Sequence, residues 1–304
     1  MPNCGLNILF SWTRKYSSLW CSSKLWLIKN RIQAQGDCAC IFLGHLRNQG
    51  FAPLFFTFGF MWEEGYLSIG TQQLHYLKAG SGSRLLLAFH GYGNDARLFG
   101  ALGRLVGHAY TIVSVDLPYH GSSYWPKDQV FLKEELLLLA KGAMRLTGSD
   151  RLSLAGYSLG GRICLTLLEL MPESVERVML LAPDGLGGRR FYHFVTRTII
   201  GKRLFRHYLE DGRRIARLAG LLHRCGLLGA ARHRFLSKYT GSESARKLLL
   251  QVWPSMRYLV PDLRKVRNLI RKHHIPVYLF TGRHDPIIRP HFARLLSRNL
   301  PEVQ

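Results

Sequence analysis

This 304-residue sequence is short of acids. Only 19 Asp and Glu stand against 42 Lys and Arg, a formal net charge of +23. Such a balance points to nucleic acid, an anionic membrane surface or acidic substrates, or simply to an Arg-rich proteome. The first of these is not expected, because no nucleic-acid-binding module signature is present. The sequence also lacks any run of about 18 apolar residues, which excludes a helix spanning a bilayer. No continuous apolar stretch follows a basic start, so no secretory signal is read. Its six cysteines form no paired framework, and four of them fall in the first 40 residues. A reducing, cytoplasmic compartment is therefore the default. Cys38-x-Cys40 with His45 lacks a second ligand pair, so no metal site is expected.

What is there suits a globular protein. Apolar residues make up 47% of the chain, enough for a real core. The length allows one large α/β domain with an inserted subdomain, or two ordinary domains.

Residues 1–60 differ from the rest, with tryptophans, cysteines and cations but a single acid, Asp37. They weakly resemble an organelle transit peptide. Trp12, Trp20, Leu25 and Trp26 among basic residues also suit contact with a membrane surface. The reading taken forward is an extension outside the fold, with ordinary alternation starting at Met61.

From there strands and helices alternate. Residues 65–79 read as a hairpin around Gly70, and 85–89 and 110–115 as strands buried on both faces. Residues 96–107 and 130–146 read as helices, and 178–183 and 276–281 as further strands. This order implies a mostly parallel sheet with functional groups at the carboxyl ends of its strands. His90, Asp116, Ser158, Asp184 and Asp285 all follow apolar strands. Residues 187–270 break the pattern. They read as amphipathic helices, with nineteen Lys and Arg against four acids. A basic helical lid over the site is expected there. The expected divisions are thus a core of 61–186, a lid of 187–270 and a second core part of 271–304.

The central stretch is residues 151–162, which read as strand, tight turn and helix. The turn is Gly156-Tyr157-Ser158-Leu159-Gly160, and Leu159, Ile163, Leu167 and Leu170 continue at helical spacing. That context gives Gly-x-Ser-x-Gly its meaning as a nucleophile elbow. The serine sits on a strained turn, glycines avoid collision with neighbouring backbone, and the helix dipole favours a developing oxyanion. Cys164 falls on that helix and reads as core packing.

Four motifs at successive strand ends resemble the α/β-hydrolase superfamily across roughly 62–304. They are His90-Gly91, the stretch from Asp116 to Ser123, the elbow at Ser158, and Gly-Arg-His-Asp285. The resemblance implies that Ser158 is the nucleophile and Asp285 the acid that orients its base. Asp184 is the alternative acid, or a cap on the loop into the lid. The backbone N–H groups of Leu159 and Tyr92 would form the oxyanion hole, while His90, Asp116 and His120 would shape the site. No cofactor is implied. The expected activity is hydrolysis of a carboxylic ester with an apolar portion.

The chain departs from the family at the base. The family's histidine follows one more strand beyond Asp285, and no histidine here matches it. His291 comes too early, and His284 would point away if Asp285 points in. The last strand is expected to be missing, the preceding one to be left unpaired, and the chain as given to be nearly inactive. Two alternatives stand beside the ester hydrolase. Gly156 to Arg162 resembles the elbow of menaquinone-pathway lyases, where the residue matching Arg162 binds a carboxylate of an anionic substrate. Against that, Arg162 pairs with Glu169 or faces solvent. The other alternative is a non-catalytic binding protein of the same fold.

Overall fold

The computed structural model describes residues 62–187, 189–283, 285 and 290–304. The readings given above for residues 1–60 and for His284 lie outside them.

β1 (Glu63–Ile69) and β2 (Gln72–Ala79) form the hairpin expected around Gly70. β3 (Arg84–Phe89) leads through a 3-10 turn (Ala96–Phe99) into α1 (Gly100–Val106). Next come β4 (Tyr110–Val115), α2 (Lys133–Thr147), β5 (Leu152–Tyr157), α3 (Leu159–Leu170) and β6 (Val175–Leu181). Six helices among the described residues then precede the next strand. They are α4 (Arg189–Arg197), α5 (Ile199–Glu210), α6 (Gly212–Arg224), α7 (Ala230–Thr240), α8 (Glu243–Ser255) and α9 (Leu263–His273). β7 (Val277–Phe280) and α10 (Pro290–Ser297) close the order.

The seven strands make one sheet in the order β1-β2-β4-β3-β5-β6-β7. β2 runs antiparallel to both β1 and β4, and every pair from β4 to β7 is parallel. Parallel neighbours need crossover connections, which the helices supply. The central strands are covered on both faces, so Leu85, Leu87, Phe89, Val113, Leu152 and Leu154 are all buried. α2 turns Leu136, Leu139, Ala140 and Ala143 inward at helical spacing. Each buried Leu contributes about 1.5–3 kcal/mol. The helix starts where the Leu132 N–H donates to Glu135 Oε2 at 2.7 Å, half of a capping box. Cys164 is fully buried in this core.

One expectation about the sheet edge needs correction. β7 is not left unpaired, because residues 302–304 lie parallel to it. Val277 N–H donates to Glu302 O at 2.8 Å, Leu279 N–H to Gln304 O at 2.7 Å, and Gln304 N–H to Val277 O at 2.9 Å. The turn after α10 returns the chain beside β7, where Glu302 and Gln304 carbonyls satisfy donors of that edge. Three residues are too few for an alternating pattern to announce a strand.

Candidate active site

The turn between β5 and α3 is built as a strained elbow. Ser158 has φ 50° and ψ −110°, a conformation that L-residues avoid. Backbone hydrogen bonds on every side hold it there. Ser158 N–H donates to Leu181 O at 2.9 Å, and Ser158 O accepts from Gly161 N–H at 3.0 Å and Asp184 N–H at 2.8 Å. The flanking glycines are required by space. A Cβ on Gly156 would sit 2.5 Å from Gly160 O, and one on Gly160 would come within 2.9 Å of His90 O and closer still to Phe89. The first turn of α3 therefore lies directly on the end of β3. Leu159 opens α3, where leading N–H groups have no partner inside the helix.

The loop after β3 passes the same place. A Cβ on Gly91 would meet the Tyr157 ring at 2.7 Å, which sets the Tyr92 backbone near the elbow. The Tyr92 hydroxyl donates to Ala245 O of α8 at 3.0 Å, and its ring lies 5.4 Å from that of Tyr239 on α7. Burial, then the neighbouring Tyr239, raises the pKa of the Tyr92 hydroxyl well above the ordinary tyrosine value. Sequence reasoning reached the Tyr92 backbone alone; its side chain joins the sheet to the helices after β6.

The other polar residues at these strand ends hold loops together. His90 Nε2 accepts from Leu117 N–H at 3.0 Å, so Nδ1 carries the proton and donates to Gly91 O at 2.8 Å. His120 repeats the arrangement, accepting from Gly93 N–H at 3.1 Å and donating to Pro118 O at 2.9 Å. Burial lowers the pKa of both imidazoles, that of His120 to about 4, with the neighbouring His90 adding to the effect. Asp116 accepts from Ala96 N–H at 2.6 Å, Ser122 N–H at 2.9 Å and His75 Nδ1 at 2.8 Å. These contacts tie the loops after β3 and β4 to one another.

Arg162 pairs with neither Glu169 nor solvent. It is buried, and its Nε donates to Asp184 Oδ2 at 3.0 Å, with Nη2 on the same oxygen. Its guanidinium lies 4.4 Å over the Tyr192 ring. Burial opposes its charge, but Asp184 and Tyr192 together raise the pKa and keep the guanidinium charged. Glu169 is taken by Lys133 at 3.1 Å and by the Asp262 N–H at 2.8 Å. The second oxygen of Asp184 accepts from Gly185 N–H at 2.6 Å. Tyr192 carried no sequence signal, because its partner lies thirty positions away on another element.

Asp285 follows β7, and its N–H closes a turn onto Gly282 O at 3.1 Å. Burial first, then Tyr239 and the Asp285 carboxylate, raise the pKa of Tyr157, the residue preceding Ser158. Among the described residues no histidine hydrogen-bonds the Ser158 hydroxyl, and the His291 ring packs on Phe292 at 4.2 Å. Among the described residues no group of three or more His, Cys, Asp or Glu could hold a metal, and no helix there is long and apolar enough to cross a membrane.

Comparisons with known proteins agree with this architecture. A 2-hydroxy-6-oxo-6-phenylhexa-2,4-dienoate hydrolase of Comamonas testosteroni is 31% identical over 146 residues, 45% of this chain and 48% of that protein. The chain thus spans about half the length of that relative. A pimeloyl-[acyl-carrier protein] methyl ester esterase of Nitrosomonas europaea is 25% identical over 239 residues, 76% of this chain and 88% of that protein. Among solved structures, a bacterial membrane phospholipase A superposes with a TM-score of 0.55 at 21% identity, covering 80% of this chain and 77% of that one. The family model of the alpha/beta hydrolase fold matches residues 84–304. With the sheet order and the elbow in place, the chain belongs to the alpha/beta hydrolase fold family.

Proposed function

We propose that this protein is a serine hydrolase of carboxylic esters, with Ser158 as nucleophile. The strained backbone of Ser158 at the head of α3 carries this reading, because such a turn presents a hydroxyl beside helix N–H donors. Ser158 Oγ attacks the ester carbonyl. The backbone N–H groups of Leu159 and Tyr92 receive the oxyanion, the alcohol departs, and water then releases the acyl group. No histidine among the described residues bonds Oγ, so its proton passes through water to the departing alcohol, and Asp285 is the carboxylate that would orient an imidazole at that place. His90 and His120 are spent on backbone groups as neutral rings, so neither serves as that base. The expected consequence is slow turnover by the 304-residue chain, since loss of a relay member leaves mainly binding and oxyanion stabilisation.

The lyase alternative needs a guanidinium facing the substrate. Arg162 instead donates to Asp184 through Nε and Nη2 and lies over the Tyr192 ring, so the ester hydrolase is the reading taken forward.

The test is hydrolysis of p-nitrophenyl acetate by the chain and by Ser158→Ala. Slow turnover that disappears in the variant supports the reading, and equal turnover by both proteins overturns it.

A further inference from the structure

The first two helices after β6 show more apolar surface than the fold uses. α5 turns one face inward, where Phe205, Tyr208 and Leu209 pack with Ile215, Leu249 and Trp253. On its other side Ile199 and Ile200 are 69% and 67% exposed, and Leu204 is exposed one turn on. Phe191 and Phe194 of α4 are exposed as well. The corner between the helices is held in place by Thr198, whose Oγ1 accepts from Gly201 N–H at 3.0 Å. Arg197, Lys202, Arg203 and Arg206 are exposed among these apolar tips. From Asp184 to Glu210 no acid intervenes. Scattered exposed apolar residues are ordinary, but adjacent isoleucines on a fixed corner within a basic stretch are not.

We propose that this corner, residues 191–206, is a docking surface for an anionic lipid bilayer. Ile199, Ile200 and Leu204 would enter the boundary between headgroups and acyl chains, while the cations meet anionic headgroups. Nucleic acid would use the cations but gives aliphatic tips nothing to stack on. A second copy of the chain would bring two basic, acid-free surfaces together, and like charges repel. Docking stands without the hydrolase reading; the substrate it implies, an ester borne in or at a membrane, rests on that reading.

The test is flotation of the full chain with vesicles of phosphatidylcholine alone or with roughly 30% phosphatidylserine. The chain is expected to float with the anionic vesicles and not with the neutral ones. The exposed double variant I199S/I200S is expected to lose about tenfold in partitioning, and K202E/R203E about a hundredfold, both with unchanged circular dichroism. Ser158→Ala should float as the parent does. Failure to float, equal flotation with neutral vesicles, or undiminished flotation of both double variants overturns the proposal. So does a preference for duplex RNA over vesicles that I199S/I200S retains, or a doubled mass in solution that I199S/I200S abolishes. If vesicles bind but Ser158-dependent ester turnover is absent, the hydrolase reading fails alone. The reverse result removes docking alone.

Discussion

The sheet with its elbow and the helices between β6 and β7 are built on opposite terms. At the strand ends, backbone meets backbone with no spare room, and side chains that could do chemistry are bound to specific partners. His90, His120 and Asp116 each hold a loop, and Arg162 fastens α3 to the end of β6 and to α4. In the helical stretch the shared core is small, centred on Leu209, Ile215 and Leu249. Its outer faces keep isoleucines and cations exposed. Geometry is dictated in the first region, and surface chemistry is left available in the second. Substitutions should separate the two.

The largest effect is expected at the elbow. Gly160→Ala puts a methyl group into the backbone at the end of β3, and a loss of about 3 kcal/mol or more in urea denaturation is expected. Little loss would mean that α3 and β3 can part easily, and the contrast would fail.

Acid should act next, through the buried imidazoles. The pKa of His120 is about 4 when folded, against an ordinary 6.5. Between those pH values the unfolded chain takes up a proton that the folded chain does not. Stability therefore falls as pH drops from 6.5 to 4, by about 3 kcal/mol for this residue alone. Urea midpoints measured across that range would show the slope, and His120→Gln should flatten it. An unchanged slope in the variant would mean that His120 is not a buried neutral ring.

A smaller loss is expected at the fastener. Arg162→Ala leaves the Asp184 carboxylate without its cation, but that group is about one-third exposed and water relieves part of the cost. A loss of about 2 kcal/mol in thermal or urea unfolding is expected. Asp184→Asn should cost at least as much, because it leaves the buried guanidinium without a counter-ion and the single amide oxygen cannot accept from both Arg162 and Gly185 N–H. A clearly smaller loss would mean that water reaches the guanidinium. Smallest of all, I199S/I200S should change stability by no more than about 0.5 kcal/mol. A large loss there would show that the corner serves folding after all.

The elbow was legible because its residue types answer a local steric demand, one serine with φ above zero between glycines that touch backbone. The parallel sheet was legible from apolar runs separated by helical periods. Long-range choices were not. Arg162 chose Asp184 over Glu169, although Glu169 lies on the same helix and Asp184 lies 22 residues away at the end of another strand. The Tyr92 hydroxyl reaches an α8 carbonyl 153 residues on. Such pairings depend on where elements meet, which periodicity does not carry. The corner at Ile199 was hidden for a related reason. α5 has apolar residues on two sides, and the pattern does not say which side finds a partner.

The proposed ester hydrolysis depends on Ser158 more than on any other side chain. The most direct measurement is reaction of the full chain with a fluorophosphonate, with and without added imidazole, and location of the adduct by peptide mass spectrometry. The expected result is an adduct on Ser158 that forms faster with imidazole and is absent from Ser158→Ala. An adduct on another serine, or none even with imidazole present, would contradict it.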